Sequence, residues 1–220
     1  MKRFLILSVV LFVVFCFGSA LAADSQPSSK ATAAINHLYA IAGTSENSDT
    51  WVANQAWKTI HSNTIKTANQ KDLFIDVSLQ CGIYTKTKAE LVVGGQTTTA
   101  NGQIKVRVLI DGVAYALPGE VVFDKRVQTL TAALYEALAT DDLGPISNIG
   151  YVELILETLQ AHAFNFVALD VPAGVHTIAV QAMLETGTSS ASATAKGAIG
   201  MGSTTIESVR MIKDEVVVID

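Results

Sequence analysis

The residues with the greatest potential for chemistry are four histidines, His37, His61, His162 and His176. None of them is spaced as in an H-x-x-x-H motif, and zinc needs three or four converging ligands. Cys81 is the one cysteine outside the N-terminal segment, so few further ligands are available. A histidine metal site would therefore require strand order to bring His61 and His176 together.

His176 lies in the stretch DVPAGVHTIAVQAMLET, directly after the turn-forming residues Pro172-Ala173-Gly174. It begins a two-residue alternation that continues through Ile178 and Val180 to Leu184, which is typical of a strand with one buried face. We expect the His176 ring to cap the end of a sheet and to bond a loop carbonyl. The alternative is a base or ligand at the rim of the fold.

Motifs for nucleophilic catalysis and phosphate binding are absent from the sequence. Gly200-Met201-Gly202-Ser203 differs from a G-x-S-x-G elbow in order and spacing. The glycines around it precede no lysine and enter a predicted strand, whereas a phosphate-binding loop enters a helix. The sequence therefore predicts a protein that is not an enzyme.

Carboxylates provide the remaining catalytic and metal-binding candidates. A glycosidase needs two of them across one cleft, but Asp76, Glu120 and Asp124 cannot be placed on a common face from sequence. A secreted hydrolase thus remains an alternative. Asp141 and Asp142, within ATDDLGPISN, are weak candidates for a Ca²⁺ site, although no EF-hand pattern is present and a solvated turn is the simpler interpretation. No other cofactor is predicted.

Aromatic side chains could provide a platform for sugars or small ligands. Trp57, Tyr115 and His176 are weak candidates for ligand binding, as a solvent-facing row on one sheet. The sequence does not show that they cluster, and a tryptophan near the start of a domain more often closes the end of a core.

The N-terminal residues predict export. Lys2 and Arg3 precede an apolar run over residues 4–17, and Ala20-Leu21-Ala22 fits the cleavage rule of a signal peptide, here residues 1–22. The sequence preceding Cys16 does not favour a lipoprotein. We expect a periplasmic or extracellular protein.

Charge and cysteine content restrict the partners. The formal net charge is −5 and becomes more negative once the two basic residues of the signal peptide are removed. Nucleic acid and anionic membranes are therefore not expected as partners. Cys81 has no second cysteine to pair with in the mature chain, and its alternation with Leu79 and Ile83 predicts that it is buried in a strand.

The distribution of strand signals predicts a Ser/Ala/Thr-rich spacer at 23–50 and a β-sandwich domain at 51–220. Asp111-Gly112 is the strongest hairpin signal. The spacing of Val152, Ile155, Leu156 and Leu159 predicts one short helix. The expected fold is all-β, an antiparallel two-sheet sandwich that is jelly-roll-like and contains that embedded helix.

The segments KDLFIDVSLQCGIYT, VRVLIDG, VPAGVHTIAVQA and IESVRMI, in this order, resemble those of exported bacterial β-sandwich proteins with jelly-roll-like folds and no assigned activity. The resemblance covers about residues 57–213. It implies the fold and carries no functional residues with it.

The leading functional hypothesis is a structural or adhesive surface or extracellular component that works by self-association or by contact with a surface glycan or protein. The apolar C-terminal segment EVVVID is a candidate strand for pairing with a neighbouring subunit. Pairing within its own domain is the simpler alternative. A carbohydrate- or small-ligand-binding module is the second hypothesis.

Overall fold

The computed structural model describes residues 30–36, 48–53, 56–133, 140–141, 144–145 and 150–211. Within these residues the chain forms strands β1 (Lys30–Asn36), β2 (Ser48–Ala53), β3 (Lys58–Thr67), β4 (Lys71–Glu90), β5 (Gln96–Ile110), β6 (Glu120–Ala132), β7 (Thr140–Asp141), β8 (Gly144–Pro145), β9 (Tyr151–Val171), β10 (Gly174–Thr188) and β11 (Ala193–Val209).

The long strands form two antiparallel sheets. The first sheet has the order β1-β11-β4-β9, and the second has the order β2-β10-β5-β6. Strand β3 also belongs to the second sheet, because β10 pairs with β3 over Gly174–Ala182 and with β2 over Glu185–Thr188. Strands β7 and β8 form a separate short pair. The all-β class and the two antiparallel sheets predicted from the sequence are confirmed.

Strict alternation in the central strands produces the core between the sheets. In β4 the odd-numbered residues from Leu73 to Ala89 are buried, and in β10 the even-numbered residues from His176 to Leu184 are buried, because successive side chains of a strand point to opposite faces. Cys81 is fully buried on the inner face of β4, as predicted. Burial, with a smaller contribution from the charge of Asp124, raises the pKa of its thiol to about 12.

The predicted hairpin at Asp111-Gly112 is confirmed. Both residues have positive φ values, 51° and 84°, as a type I′ turn requires. Ile110 and Val113 close the turn with two backbone hydrogen bonds of 2.8 and 2.9 Å. Beyond it, Leu117 forms two backbone hydrogen bonds with Val167 of β9, which ties this connection to the edge of the first sheet.

The predicted helix is wrong. Residues 151–171 form strand β9, and its pairing with β4 runs from Tyr151 opposite Glu90 to Ala168 opposite Leu73 without a register shift. The spacing of Val152, Ile155 and Leu159 fits a helix, but apolar residues at both odd and even positions fit an edge strand with two apolar faces equally well. The segment forms a strand because it pairs along its length with β4, and tertiary contacts of this kind override the local preference for a helix.

The segment predicted as a spacer, 23–50, contains β1 and the first three residues of β2. Strand β1 pairs with β11, and Ser48, at the start of β2, pairs with Thr188 of β10. Residues 1–29, which include the predicted signal peptide, and residues 212–220, which include EVVVID, lie outside the described part. Among the described residues, none forms a helix of the length and apolarity needed to cross a bilayer.

Candidate functional site

His176 is held by a clasp that joins the β5 hairpin to β10. Its Nδ1 lies 2.8 Å from Asp111 Oδ2, and its Nε2 lies 2.8 Å from the carbonyl oxygen of Pro172. The other carboxylate oxygen, Asp111 Oδ1, accepts a 2.8 Å hydrogen bond from the backbone N–H of Thr177. The left-handed turn at Asp111 and the Pro172 turn therefore position both partners of the ring.

The clasp favours the protonated imidazole. Both ring nitrogens face acceptors, so both donate when the ring carries its second proton. The hydrogen bond that His176 donates to Asp111 raises the pKa of His176 above its ordinary value, and the hydrogen bonds that Asp111 accepts from His176 and Thr177 lower the pKa of Asp111. When the ring is protonated, both nitrogens donate to these acceptors, and neither has a lone pair for a metal or for a substrate proton.

Tyr115 and His176, predicted together as ligand contacts, line the same pocket. It has a volume of about 350 Å³ and apolar walls formed by Ile110, Val113, Val171 and Pro172. Tyr115 is half exposed and donates a 2.7 Å hydrogen bond from its hydroxyl to the carbonyl oxygen of Leu169. The pocket is therefore shaped for a small apolar group beside one phenol.

Trp57, the third candidate of this row, lies elsewhere. Its neighbour Lys58 pairs with Ala182, six residues along β10 from His176, which corresponds to ~20 Å. The guanidinium of Arg107 covers the Trp57 ring, with its central carbon 4.3 Å from the ring centroid. The three residues therefore do not form one binding row.

The histidines do not converge either. His61 pairs with Val180, four residues from His176 along β10, or ~13 Å. It is buried with its Nδ1 2.6 Å from Thr204 Oγ1, and burial lowers its pKa. His162, on the inner face of β9, has a buried Nε2 without a hydrogen-bond partner.

Among the described residues, no three metal-ligating side chains form a group. Asp141 lies in β7, where it pairs with Gly144, while Asp142 and His37 fall outside the described part. The predicted Ca²⁺ site at Asp141 and Asp142 thus stays a prediction.

The carboxylates considered for hydrolysis belong to different surfaces. Asp76 lies opposite Asn165, with its side chain away from the core of the first sheet. Glu120 belongs to the second sheet, where its Oε1 lies 3.3 Å from Lys105 Nζ. Asp124 is close enough to Cys81 to affect the thiol. They do not share a cleft.

The sequence reasoning missed the most unusual surface in the described structure, the outer edge of β9. Val167 bonds Leu117 through both its N–H and its C=O, whereas the C=O of Gly150 accepts from Leu91, the residue that follows β4. Since these directions alternate along a strand, the odd-numbered residues of β9 point their backbone groups away from β4. No backbone hydrogen bond joins residues 153–165 to another described strand on that side.

Both faces of this edge carry exposed apolar side chains. On the outer face Tyr151 is 57% exposed, Ile155 49% and Leu159 61%. On the inner face, which the register with β4 turns toward the second sheet, the half-exposed side chains are Val152, Leu154, Leu156 and Phe164. We call residues 151–165 the β9 edge. The signal for it was present in the sequence, as large apolar residues at both odd and even positions.

Polar bridges hold the β9 edge in place. Gln128 of β6 donates from Nε2 to the Leu154 carbonyl at 2.7 Å, and Arg126 donates to Thr158 Oγ1 at 2.6 Å. On the outer face Lys86 Nζ lies 2.6 Å from Glu153 Oε2. Contacts from β4 and β6 therefore hold the edge in place. The outward-pointing backbone groups of its odd-numbered residues are thus already oriented for pairing with a further strand.

On this side of the sandwich the two sheet edges, β6 and β9, differ in how they are protected. Strand β6 carries Lys125 and Arg126 and has a register shift against β5 between Ile104 and Lys105. Charges and bulges of this kind discourage edge pairing. The β9 edge contains no lysine, arginine or proline, and its register is continuous.

The chain matches no protein-family model, and no curated protein matches it. Solved structures similar to it include the infectious bursal disease virus VP2 subviral particle, with 9% identity and a TM-score of 0.18 over 85% of this chain and 43% of that chain. The infectious bursal disease virus Gx strain structure follows, with 8% identity and a TM-score of 0.16 over 84% and 41%. The chain spans less than half the length of these proteins, and the scores are too low to show a shared fold.

Proposed function

We propose that this chain is a non-enzymatic, exported structural protein that assembles through the edges of its sheets in the cell envelope or extracellular matrix. The observation that carries the proposal is the β9 edge, which combines backbone groups that pair with no other described strand with apolar side chains on both faces. Long, flat and hydrophobic edges of this kind pair with further strands.

The geometry around His176 supports a structural rather than a catalytic role. Its two ring nitrogens are bonded to Asp111 and to the Pro172 carbonyl, which uses the ring to fasten a hairpin to β10. The net charge of −5 supports assembly partners other than nucleic acid or anionic membrane.

The strand order supports a jelly-roll topology as part of this proposal. In the first sheet, β11 lies between β1 and β4. In the second sheet, β10 lies between β3 and β5. Each sheet thus places a strand from late in the sequence between two strands from early in it. A jelly roll consists of eight such strands in two sheets, built from two Greek keys. This architecture leaves β6 and β9 as free edges on one side of the sandwich.

The test is the mass of the purified chain from residue 24, measured by light scattering over a concentration series. Wild type is expected to associate with rising concentration. Ala161→Pro removes an N–H that points away from β4, so it weakens edge pairing while leaving the β4 ladder intact. Ala161→Ser keeps that N–H and is the matched control. A wild-type monomer at every concentration refutes the proposal.

A second candidate function is the binding of a small ligand in the pocket of Tyr115 and His176, favoured by its apolar walls. A panel of sugars and small aromatic compounds should then shift the NMR signals of Val113 and Tyr115, and Tyr115→Ala should abolish the shifts. Shifts that persist in Tyr115→Ala would place the ligand elsewhere.

A further inference from the structure

We infer that the occupant of the β9 edge is the β9 edge of a second copy, paired antiparallel about a two-fold axis at Thr158. The inference rests on the proposed function and deepens it by naming the partner and the register. Two first sheets would then join into one continuous eight-stranded sheet, through the same patch on both copies.

The available length of the edge determines the register. The backbone of Val167 is already bonded to Leu117, so the free run ends at Asn165, while at the other end β9 begins at Tyr151. A two-fold axis at Thr158 pairs all of residues 151–165, with Tyr151 opposite Asn165 of the second copy. The ladder is then ~50 Å long.

Charge disfavours two of the alternative registers. An axis at Ile155 would place Glu153 directly opposite Glu157 twice, and an axis at Glu157 would place that residue opposite itself; like charges in this position are destabilising. With the axis at Thr158, Glu153 lies opposite Ala163 and Glu157 lies opposite Leu159. Each glutamate therefore faces a small or apolar side chain.

Side-chain size supports the same arrangement. On the outer face Ile155 lies opposite Ala161, so a large side chain meets a small one. On the inner face Val152 lies opposite Phe164 and Leu154 lies opposite His162, which covers apolar side chains that are more than a third exposed in a single copy. The hydrogen-bonding directions are also consistent, since odd-numbered residues pair with odd-numbered residues across the axis.

Residues 212–220 are by themselves too short to cover the whole edge. Residues 212–220 follow Met211, whose N–H bonds Asp72 Oδ2, and the backbone N–H of Asp170 bonds Oδ1 of the same carboxylate. Nine extended residues span at most ~30 Å, whereas Leu159 lies eleven residues, or ~36 Å, from Asp170 along β9. A second copy has no such limit.

The experiment is a cysteine scan along the edge in the chain from residue 24, with mild oxidation and detection of covalent dimers. Thr158 would lie opposite its own copy in a non-hydrogen-bonded pair, where the Cα atoms are ~4.5 Å apart and a disulfide fits. Thr158→Cys is therefore expected to cross-link most. Leu156→Cys, on the same face, lies four residues from its own copy and is the matched control. Wild type shows the background of the buried Cys81.

A second variant covers the case in which Thr158→Cys disturbs the bond to Arg126. Ile155→Cys/Ala161→Cys places the two cysteines opposite each other between copies, while within one chain they are ~20 Å apart. It is expected to form covalent dimers to at least ten times the level of Leu156→Cys.

The outcomes separate this inference from the proposed function. Strongest cross-linking at another position overturns the register, and association without cross-linking anywhere on β9 overturns the partner while the structural function stands. In that second case, loss of association on deletion of residues 212–220 would identify the C-terminal segment as the occupant. A monomer in which the odd-numbered amides of residues 153–165 are protected from exchange overturns both and indicates cover from residues 134–149 of the same chain.

Discussion

The buried amide of Gln128 should be among the most costly polar side chains to remove. Its Oε1 accepts a 2.6 Å hydrogen bond from Thr85 Oγ1, and its Nε2 donates at 2.7 Å to Thr87 Oγ1 and at 2.7 Å to the Leu154 carbonyl. Both threonines are fully buried and Gln128 is 4% exposed. The amide thus crosses from the second sheet to two strands of the first.

Gln128→Ala leaves both threonine hydroxyls without this partner. A buried polar group that loses its partner costs about 1–3 kcal/mol, so two of them lower the free energy of unfolding by about 2–6 kcal/mol. That is a large part of the ~5–15 kcal/mol of a typical domain. The assay is urea unfolding at one protein concentration in the Ala161→Pro background, so that association does not contribute.

The matched control replaces the whole network by apolar groups of similar shape, as Gln128→Leu/Thr85→Val/Thr87→Val. Replacing both partners of a hydrogen bond can be nearly neutral, so this variant should recover most of the loss. We expect the loss because the Thr85 and Thr87 hydroxyls are shielded from water and depend on the Gln128 amide for a hydrogen bond. A loss of less than about 1 kcal/mol for Gln128→Ala, with an unchanged slope of unfolding free energy against urea concentration, would refute this reasoning.

Three further predictions concern the clasp, the thiol and one glycine. The clasp contributes its full stability between the ordinary pKa values of Asp111, 3.8, and His176, 6.5. Its contribution declines as pH rises through the raised pKa of His176 or falls through the lowered pKa of Asp111. The Tm advantage over Asp111→Asn should therefore be largest near about pH 5 and shrink at a pH above the raised pKa of His176. An equal advantage at both pH values would contradict this. Cys81, with its pKa raised to about 12, should not react with a thiol reagent until the chain unfolds, and prompt labelling of the native protein would show that β4 opens. Gly197→Ala would place a Cβ 2.5 Å from Leu184 Cδ1 and should cost about 1–3 kcal/mol by urea unfolding, whereas an unchanged midpoint would mean that Leu184 has room to move.

The sequence predicted the strands that have one buried face and one solvent-exposed face. Strand β4 and strand β10 alternate strictly, and each was assigned with the correct inward face, because burial on one side imposes a period of two. The Asp111-Gly112 turn was equally readable, since few residue pairs accept positive φ twice. Strands β1 and β2 were not predicted, because their residues are mostly small or polar and show no sustained apolar alternation.

The candidate site was predictable in part for the same reason. Tyr115 and His176 meet because both adjoin turns at one end of the sandwich, whereas the distance to Trp57 depends on the register between β3 and β10, including a shift between Val180 and Gln181. Register between strands is set by the whole fold. No local pattern could have placed Asp111 opposite the His176 ring.

The error at β9 and the proposed assembly have one physical cause. A strand of a solitary sandwich needs apolar side chains on its inner face alone, and its sequence then alternates. Residues 151–159 instead carry apolar side chains at both odd and even positions, which resembles a helix in a sequence and produces two apolar faces in a strand. At an edge without lysine, proline or a bulge, such a strand is favourable if another strand covers it. The spacing of apolar residues that suggested a helix is therefore also the pattern expected of an edge strand that pairs with a second copy.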